Sequence, residues 1–230
     1  MQQVCEEALR KLGWQGDTLL AAGRTDTGVH ASGQVIAFDL SWEHPLESLR
    51  DALNSHLPAD VAARSVKEAP DDFHPRYAAK RRQYRYQIYC QPVRNPLLDR
   101  YAWQVWSQPD VERLQEAASI LCGTHDFAAF GTPPRSKGST VRTVYEASWQ
   151  QQEHRVHLVR MDFTVTANAF LYRMVRRMVF AQVAVGQGRL SLEELQASLE
   201  NQQECKIQGL APPQGLCLVN VEYPQEPGRE

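Results

Sequence analysis

The sequence predicts an α+β protein with a largely antiparallel sheet. Three observations carry that prediction. Segments of two-residue and of helical hydrophobic periodicity are mixed along the chain. Neighbouring strand-like segments often follow one another with no helix between them, which disfavours a doubly wound parallel sheet. The composition, 43% hydrophobic and 23% charged over 230 residues, is that of a folded globular chain and not of a disordered one.

The elements follow in order. Val4, Cys5, Ala8, Leu9 and Leu12 recur at helical spacing, and Gly13 ends that helix. A strand at Thr18–Ala22 runs into Gly23-Arg24-Thr25-Asp26-Thr27-Gly28, where two glycines and two threonines around an aspartate read as a loop. Gln34–Leu40 reads as a strand. Pro45 opens a helix with Leu46, Leu49, Leu53 and Leu57 on one face. Val61–Lys67 and Gln83–Cys90 read as strands, with Tyr84, Tyr86 and Ile88 sharing one side of the second. Tyr101–Trp106 is a strand. A helix follows Pro109 with Val111, Leu114, Ala118 and Leu121 as its stripe, and Gly131–Ser139 is a loop. Val141–Trp149 and Val156–Val165 form a pair of strands. A helix is expected from Asn168 to Val185, striped by Phe170, Leu171, Met174, Val175, Met178 and Val179, with Arg173, Arg176 and Arg177 gathered on a neighbouring face. Ser191 and Glu194 have capping-box spacing. Gly215–Tyr223 is a last strand with Cys217, Val219 and Val221 on one side. Pro92 and Pro96 suggest a division into halves 1–95 and 96–230 whose sheets pack or join into one body.

Composition excludes several classes. No apolar run reaches the ~18 residues of a membrane helix. Glu6 and Glu7 stand where a signal peptide would be basic, so a cytoplasmic location is expected. The five cysteines, Cys5, Cys90, Cys122, Cys205 and Cys217, form no C-x-x-C pair and read as reduced core thiols. Net charge is −2, yet cations cluster locally at Lys80, Arg81, Arg82 and Arg85, at Arg173, Arg176 and Arg177, and at Arg135, Lys137 and Arg142. Such clusters are either solvated faces or an electrostatic footprint for nucleic acid.

Among residues that could carry chemistry, Asp26 is the most singular. A carboxylate on a glycine-flanked loop can be a nucleophile, a general base, or merely the cap of its own turn. A neighbouring guanidinium would orient it. Tyr84 and Tyr86 beside arginines suit base stacking or an ordinary core strand. Arg176, next to a long apolar stripe, would need a carboxylate partner if buried. His30, His56, His74 and His125 lack metal-ligand spacing and read as structural.

The stretch Gly23-Arg24-Thr25-Asp26-Thr27-Gly28-Val29-His30-Ala31 closely resembles the signature loop of the tRNA pseudouridine synthase A family. Gly33-Gln34-Val35, Asn54 with Leu57-Pro58, Phe73-His74-Pro75-Arg76 and Tyr84-Arg85-Tyr86 fit the blocks that follow. Gly123-Thr124-His125-Asp126-Phe127, Thr140-Val141-Arg142-Thr143-Val144, Asn168-Ala169-Phe170-Leu171, Met174-Val175-Arg176 and Gly215-Leu216 complete an ordered set reaching nearly to the C-terminus.

The resemblance implies two α/β halves sharing a mixed, largely antiparallel sheet with helices packed on it. The first half, 1–95, would carry the aspartate loop and the second, 96–230, the arginine-bearing helix. It implies conversion of uridine to pseudouridine at positions 38 to 40 of the tRNA anticodon stem-loop, by a homodimer that uses no metal and no organic cofactor. By the same resemblance Asp26, Tyr84 and Arg176 are the catalytic residues and Arg24 assists base flipping. Thr25, His30, Lys80, Arg81, Arg82 and Arg142 are the expected remaining substrate contacts. One departure stands out. The family pattern places a strand and a Y-D-G…G-W-Q segment before the first helix, whereas here Met1 falls just before that helix and Gly13-Trp14-Gln15 follows it. A missing strand and an exposed sheet edge are therefore expected, and a non-catalytic or impaired tRNA-binding protein of the same fold is the alternative.

Overall fold

The structure is a computed structural model that describes residues 1–133, 138–152, 158–200 and 207–224. Arg135, Lys137, Cys205 and the start of the strand expected from Val156 lie outside the described residues. Spatially the chain forms two compact units, Met1–Gly23 with Val35–Ala78, and Arg24–Gln34 with Ala79–Glu230.

The first unit holds helix α1 (Gln2–Lys11), strand β1 (Leu20–Ala21), strand β3 (Ile36–Ala37) and helix α2 (Leu46–His56). Gly13, at φ +95°, takes the backbone out of α1 in a conformation open to glycine. The predicted apolar stripes meet: Ala8 and Leu9 of α1 and Leu49 and Leu53 of α2 form one buried cluster with Trp14 and Leu19. The expected strands at 18–22 and 34–40 shorten to β1 and β3, paired antiparallel at Leu20↔Ala37 and Ala21↔Ile36. No strand forms at 61–67. There the Asn54 side chain accepts from the Ala63 N–H (2.7 Å) and donates to its carbonyl (2.9 Å), taking the backbone groups that a ladder would use.

The second unit is a seven-stranded mixed sheet. Its strands are β2 (His30–Ala31), β4 (Arg81–Cys90), β5 (Trp103–Gln104), β6 (Gly123–Asp126), β7 (Val141–Gln152), β8 (Val159–Ala167) and β9 (Leu216–Glu222). The order is β2-β9-β4-β8-β7-β6, with β5 beside β4. Among the described residues only β2 with β9 and β4 with β5 run parallel; β4 with β8 and with β9, β7 with β8, and β6 with β7 are antiparallel. This is the α+β architecture that the direct strand-to-strand connections anticipate. One face is apolar and buried: Tyr86 opposes Phe163, which opposes Trp149, and Ile88 opposes Met161. Helices α3 (Val111–Ile120) and α4 (Met174–Gly186) pack together with this sheet. Trp149 donates its indole N–H to the buried Gln182 of α4 at 2.8 Å. The opposite face is a polar ladder. Buried Asp162 accepts from Gln87 and Gln152, both at 3.1 Å, so each of its carboxylate oxygens has a donor. Helix α5 (Leu192–Glu200) starts with the predicted capping box, Ser191 Oγ accepting from Glu194 N–H (3.1 Å) and Glu194 accepting from Ser191 N–H (3.0 Å).

Three further sequence expectations need correction. The helix expected from Asn168 begins only at Met174. Asn168 Oδ1 accepts from Thr143 N–H and Ala169 N–H, Tyr172 N–H donates to Thr132, and Arg173 sits in the left-handed region at φ 64°. Phe170 and Leu171 thus precede the helix. The three arginines separate: Arg176 is buried, Arg177 reaches Ala129 O, and Arg173 lies over the Tyr172 ring. In β9 the register shifts between Gln83 and Tyr84 of its partner, so that Val221 is buried with Leu216 and Leu218 and does not share a side with the half-buried Cys217 and Val219. A bulge adds one residue and moves the side chains beyond it to the other face. Among the described residues no helix is long and apolar enough to cross a membrane.

Candidate active site

The aspartate loop belongs to the second unit. Asp26 opens a four-residue turn closed by Val29 N–H to Asp26 O at 3.0 Å. Its third residue, Gly28, has φ +84°, as a turn with a left-handed third position requires. A Cβ there would also stand 3.0 Å from the Pro213 ring, so the glycine lets the loop lie against the Pro212–Gly215 segment. After the turn His30 and Ala31 join β9 in parallel, which anchors the loop at one edge of the seven-stranded sheet.

The side chain of Asp26 meets Arg176. Arg176 Nη1 donates to Asp26 Oδ2 at 2.7 Å, with the side chains 11% and 21% exposed. The guanidinium is held on a second side by Ala211 O, which accepts from Nε at 2.8 Å, while Ala211 N–H returns a bond to Arg176 O at 3.2 Å. A largely desolvated charge pair is tolerated when geometry is good and the remaining donors are used. Removing either partner would strand a charge.

Tyr84 faces the same place. Its pKa is pushed up to about 12, first by burial, with the Asp26 and Cys217 charges adding and Arg82 opposing. The phenol is therefore a neutral hydroxyl at neutral pH, close enough to Asp26 to sense its charge. Its ring meets the Phe170 ring edge-on with centroids 5.0 Å apart. Tyr86, one register step on, is raised further by burial and donates its hydroxyl to Pro212 O at 2.7 Å. Gly215 makes room for that ring, since a Cβ there would fall 2.6 Å from it. The structure thus joins Asp26 to Arg176 directly, and Tyr84 lies near enough for the Asp26 charge to reach it.

The expected substrate contacts are spread more widely. Arg24 is exposed two residues before Asp26, and Thr25 between them is half-buried. His30 Nε2 contacts Arg100 O at 3.0 Å and its ring lies 5.1 Å from Tyr101. Strand alternation divides the Lys80–Arg85 cluster. Arg82 shares the face of Tyr84, is buried and donates to Asn168 O at 3.0 Å. Arg81 and Arg85 point to the other face, where Arg81 lies over Tyr145 and pairs with Glu222 at 3.7 Å. Lys80 precedes β4 and is exposed. Arg142 donates to the Ser139 and Val141 carbonyls, and burial lowers its pKa. Sequence reasoning missed the Ala211 carbonyl behind Arg176 and the Phe170 ring against Tyr84. The Pro212-Pro213 pair ahead of Gly215 was the available sign of a rigid segment there. Among the described residues no three His, Cys, Asp or Glu side chains converge as a metal site would need.

Known proteins similar to this chain identify its family. A family model described as tRNA pseudouridine synthase matches residues 1–78 and 117–224, which include Asp26 and Arg176. A protein named tRNA pseudouridine synthase A from Moorella thermoacetica is 43% identical over 219 residues, 94% of this chain and 86% of its own. Its namesake from Syntrophotalea carbinolica is 42% identical over 229 residues, 98% and 88% of the two chains. A third, from Thermoanaerobacter, is 39% identical over 223 residues, 97% and 89%. The family model over most of the chain and relatives about 40% identical over nearly all of it show that this chain belongs to the tRNA pseudouridine synthase family.

Proposed function

We propose that this chain isomerises uridine to pseudouridine in the anticodon stem-loop of tRNA, as a cytoplasmic homodimer, using its own side chains. The observation that carries the reading is the 2.7 Å pair between Arg176 and Asp26, on a turn whose third residue, Gly28, is left-handed. The reaction breaks the C1′–N1 bond, turns the uracil and joins C1′ to C5. N1 ends protonated and C5 loses its proton, so the product is an isomer and no oxidant or water is consumed. The uridine must first leave the helical stack, which costs a few kcal/mol. Arg24, exposed beside Asp26, is assigned to that step. Asp26 then acts on the flipped nucleotide by attack at C1′, by attack at C6, or by taking the C2′ proton. Arg176 balances the carboxylate's charge where water is scarce. Tyr84, a neutral phenol, is assigned to holding the freed uracil and assisting the proton transfer at C5. Thr25, His30, Lys80, Arg81, Arg82 and Arg142 are assigned to substrate binding. Support for a tRNA substrate comes from the relatives' shared name.

The test is incubation with unmodified tRNA and mapping of pseudouridine by carbodiimide-dependent primer extension. The parent chain should modify the anticodon stem-loop. Asp26→Asn should lose on the order of a hundredfold or more of the rate. Turnover by that variant equal to the parent's would remove Asp26 from its role.

A further inference from the structure

We infer that Tyr172 and Arg173 form a rigid stacking platform for an unpaired RNA base beside the reacting uridine, an inference that rests on the proposed tRNA substrate. Tyr172 is 52% exposed, whereas Leu171 before it and Met174 after it are buried. Its backbone is held from two sides. Tyr172 N–H donates to Thr132 O at 3.0 Å, and Gly131 lies so close that an added Cβ would be 2.7 Å from the Tyr172 carbonyl. Arg173 then takes φ 64°, a left-handed conformation disfavoured for a residue with a side chain, and sets its guanidinium 4.7 Å over the Tyr172 ring. A strained, clamped backbone thus keeps an aromatic ring in the open with a cation on it. About half of the residue's surface is left open to solvent, so burial alone is a weak reason to hold it there. Strain of this kind concentrates where a ligand is gripped.

The position argues for RNA. The segment touches the site on both sides of the platform: Asn168 O receives Arg82 and Phe170 packs on Tyr84 upstream, and Arg176 pairs with Asp26 downstream. Arg173 is the residue that precedes α4, and Arg176 lies in the first turn of that helix. A base neighbouring the flipped uridine is within reach of such a ring. A π-face accepts any base, and the adjacent guanidinium adds charge for the flanking phosphate. The platform would act in binding and positioning, not on the reacting atoms.

Filter binding of unmodified tRNA to full-length Tyr172→Ala, Tyr172→Phe and the parent chain tests this, alongside pseudouridine formation by each. Tyr172→Ala should raise Kd and KM about tenfold, within the range for losing one stacked base, with kcat within about twofold. Tyr172→Phe, which keeps the ring, should bind like the parent. All three should melt alike, because the ring is half exposed. An unchanged Kd for Tyr172→Ala overturns the platform, and so does Tyr172→Phe failing as badly as the alanine. Loss of self-association in place of tRNA affinity would assign the ring to a protein interface and overturn it equally. A parent that binds tRNA but forms no pseudouridine would sink the proposed activity, while the Kd comparison still judges the platform.

Discussion

At the scale of single residues, the site is defined by how burial sorts similar side chains. Tyr84 and Tyr145 are both tyrosines in the central sheet, yet one is buried beside Asp26 and the other is exposed under Arg81. Burial raises the Tyr84 pKa from its ordinary 10.0 to about 12, which fixes a direction for alkaline stability. Below pH 10.0 the phenol is protonated whether the chain is folded or not, and its contribution is complete. Between that pH and about 12 the unfolded chain releases the proton and the folded one does not, so stability falls as pH rises. Urea unfolding across this window should show the parent losing about 2 kcal/mol more than Tyr84→Phe. Parallel loss in both would mean that Tyr84 does not titrate as its burial requires. The sequence marked Asp26, Tyr84 and Arg176 by resemblance. Chemistry alone left each of them a bland alternative, because the 2.7 Å contact joins residues 150 positions apart.

At the scale of elements, the site joins regular structure to loops: Arg176 stands on α4 and Tyr84 on β4, whereas Asp26 and Ala211 come from loops. The Asp26–Val29 turn and the Ala211–Gly215 segment lie against each other at Gly28 and Pro213. Gly28→Ala should therefore cost about 1 kcal/mol for the left-handed backbone, with the 3.0 Å approach to Pro213 adding to it. Thermal melting would report the loss, and activity should fall with it because Asp26 shifts. A variant as stable and as active as its parent would show that the turn has slack. Helix stripes and the Ser191 capping box could be read from the sequence, since periodicity and capping depend on neighbours in the chain. The late start of α4 could not. It is set by Thr132, Asn168 and the left-handed Arg173, which oppose the helical pattern at Phe170 and Leu171.

At the scale of the molecule, a net charge of −2 coexists with local cations. Shape-dependent RNA recognition needs basic surface where the backbone runs, not a basic protein. Strand alternation makes the 80–85 cluster two-faced, so its members are separable by experiment. Arg81 is exposed, whereas reversing buried Arg82 would also break its bond to Asn168. Arg81→Glu should weaken tRNA binding and lower the salt slope by about one unit. An unaltered slope would remove Arg81 from the phosphate contacts. The spatial units also cut across chain order, since Arg24–Gln34 leaves its neighbours for β9. The sequence-order halves 1–95 and 96–230 stand as a proposed division of the family fold.

Residue pattern alone determined the α+β class, the amphipathic helices, the long paired strands and the ordered motifs that mark the family. These depend on periodicity, on turn chemistry and on spacing, all of which are local. Tertiary structure alone decided that Asp26 meets Arg176, that Arg82 turns inward while Arg81 turns out, that β9 bulges, and that Tyr172 is held in the open. Each of these depends on which distant backbone or side chain satisfies a buried polar group, and no short stretch of chain contains both partners.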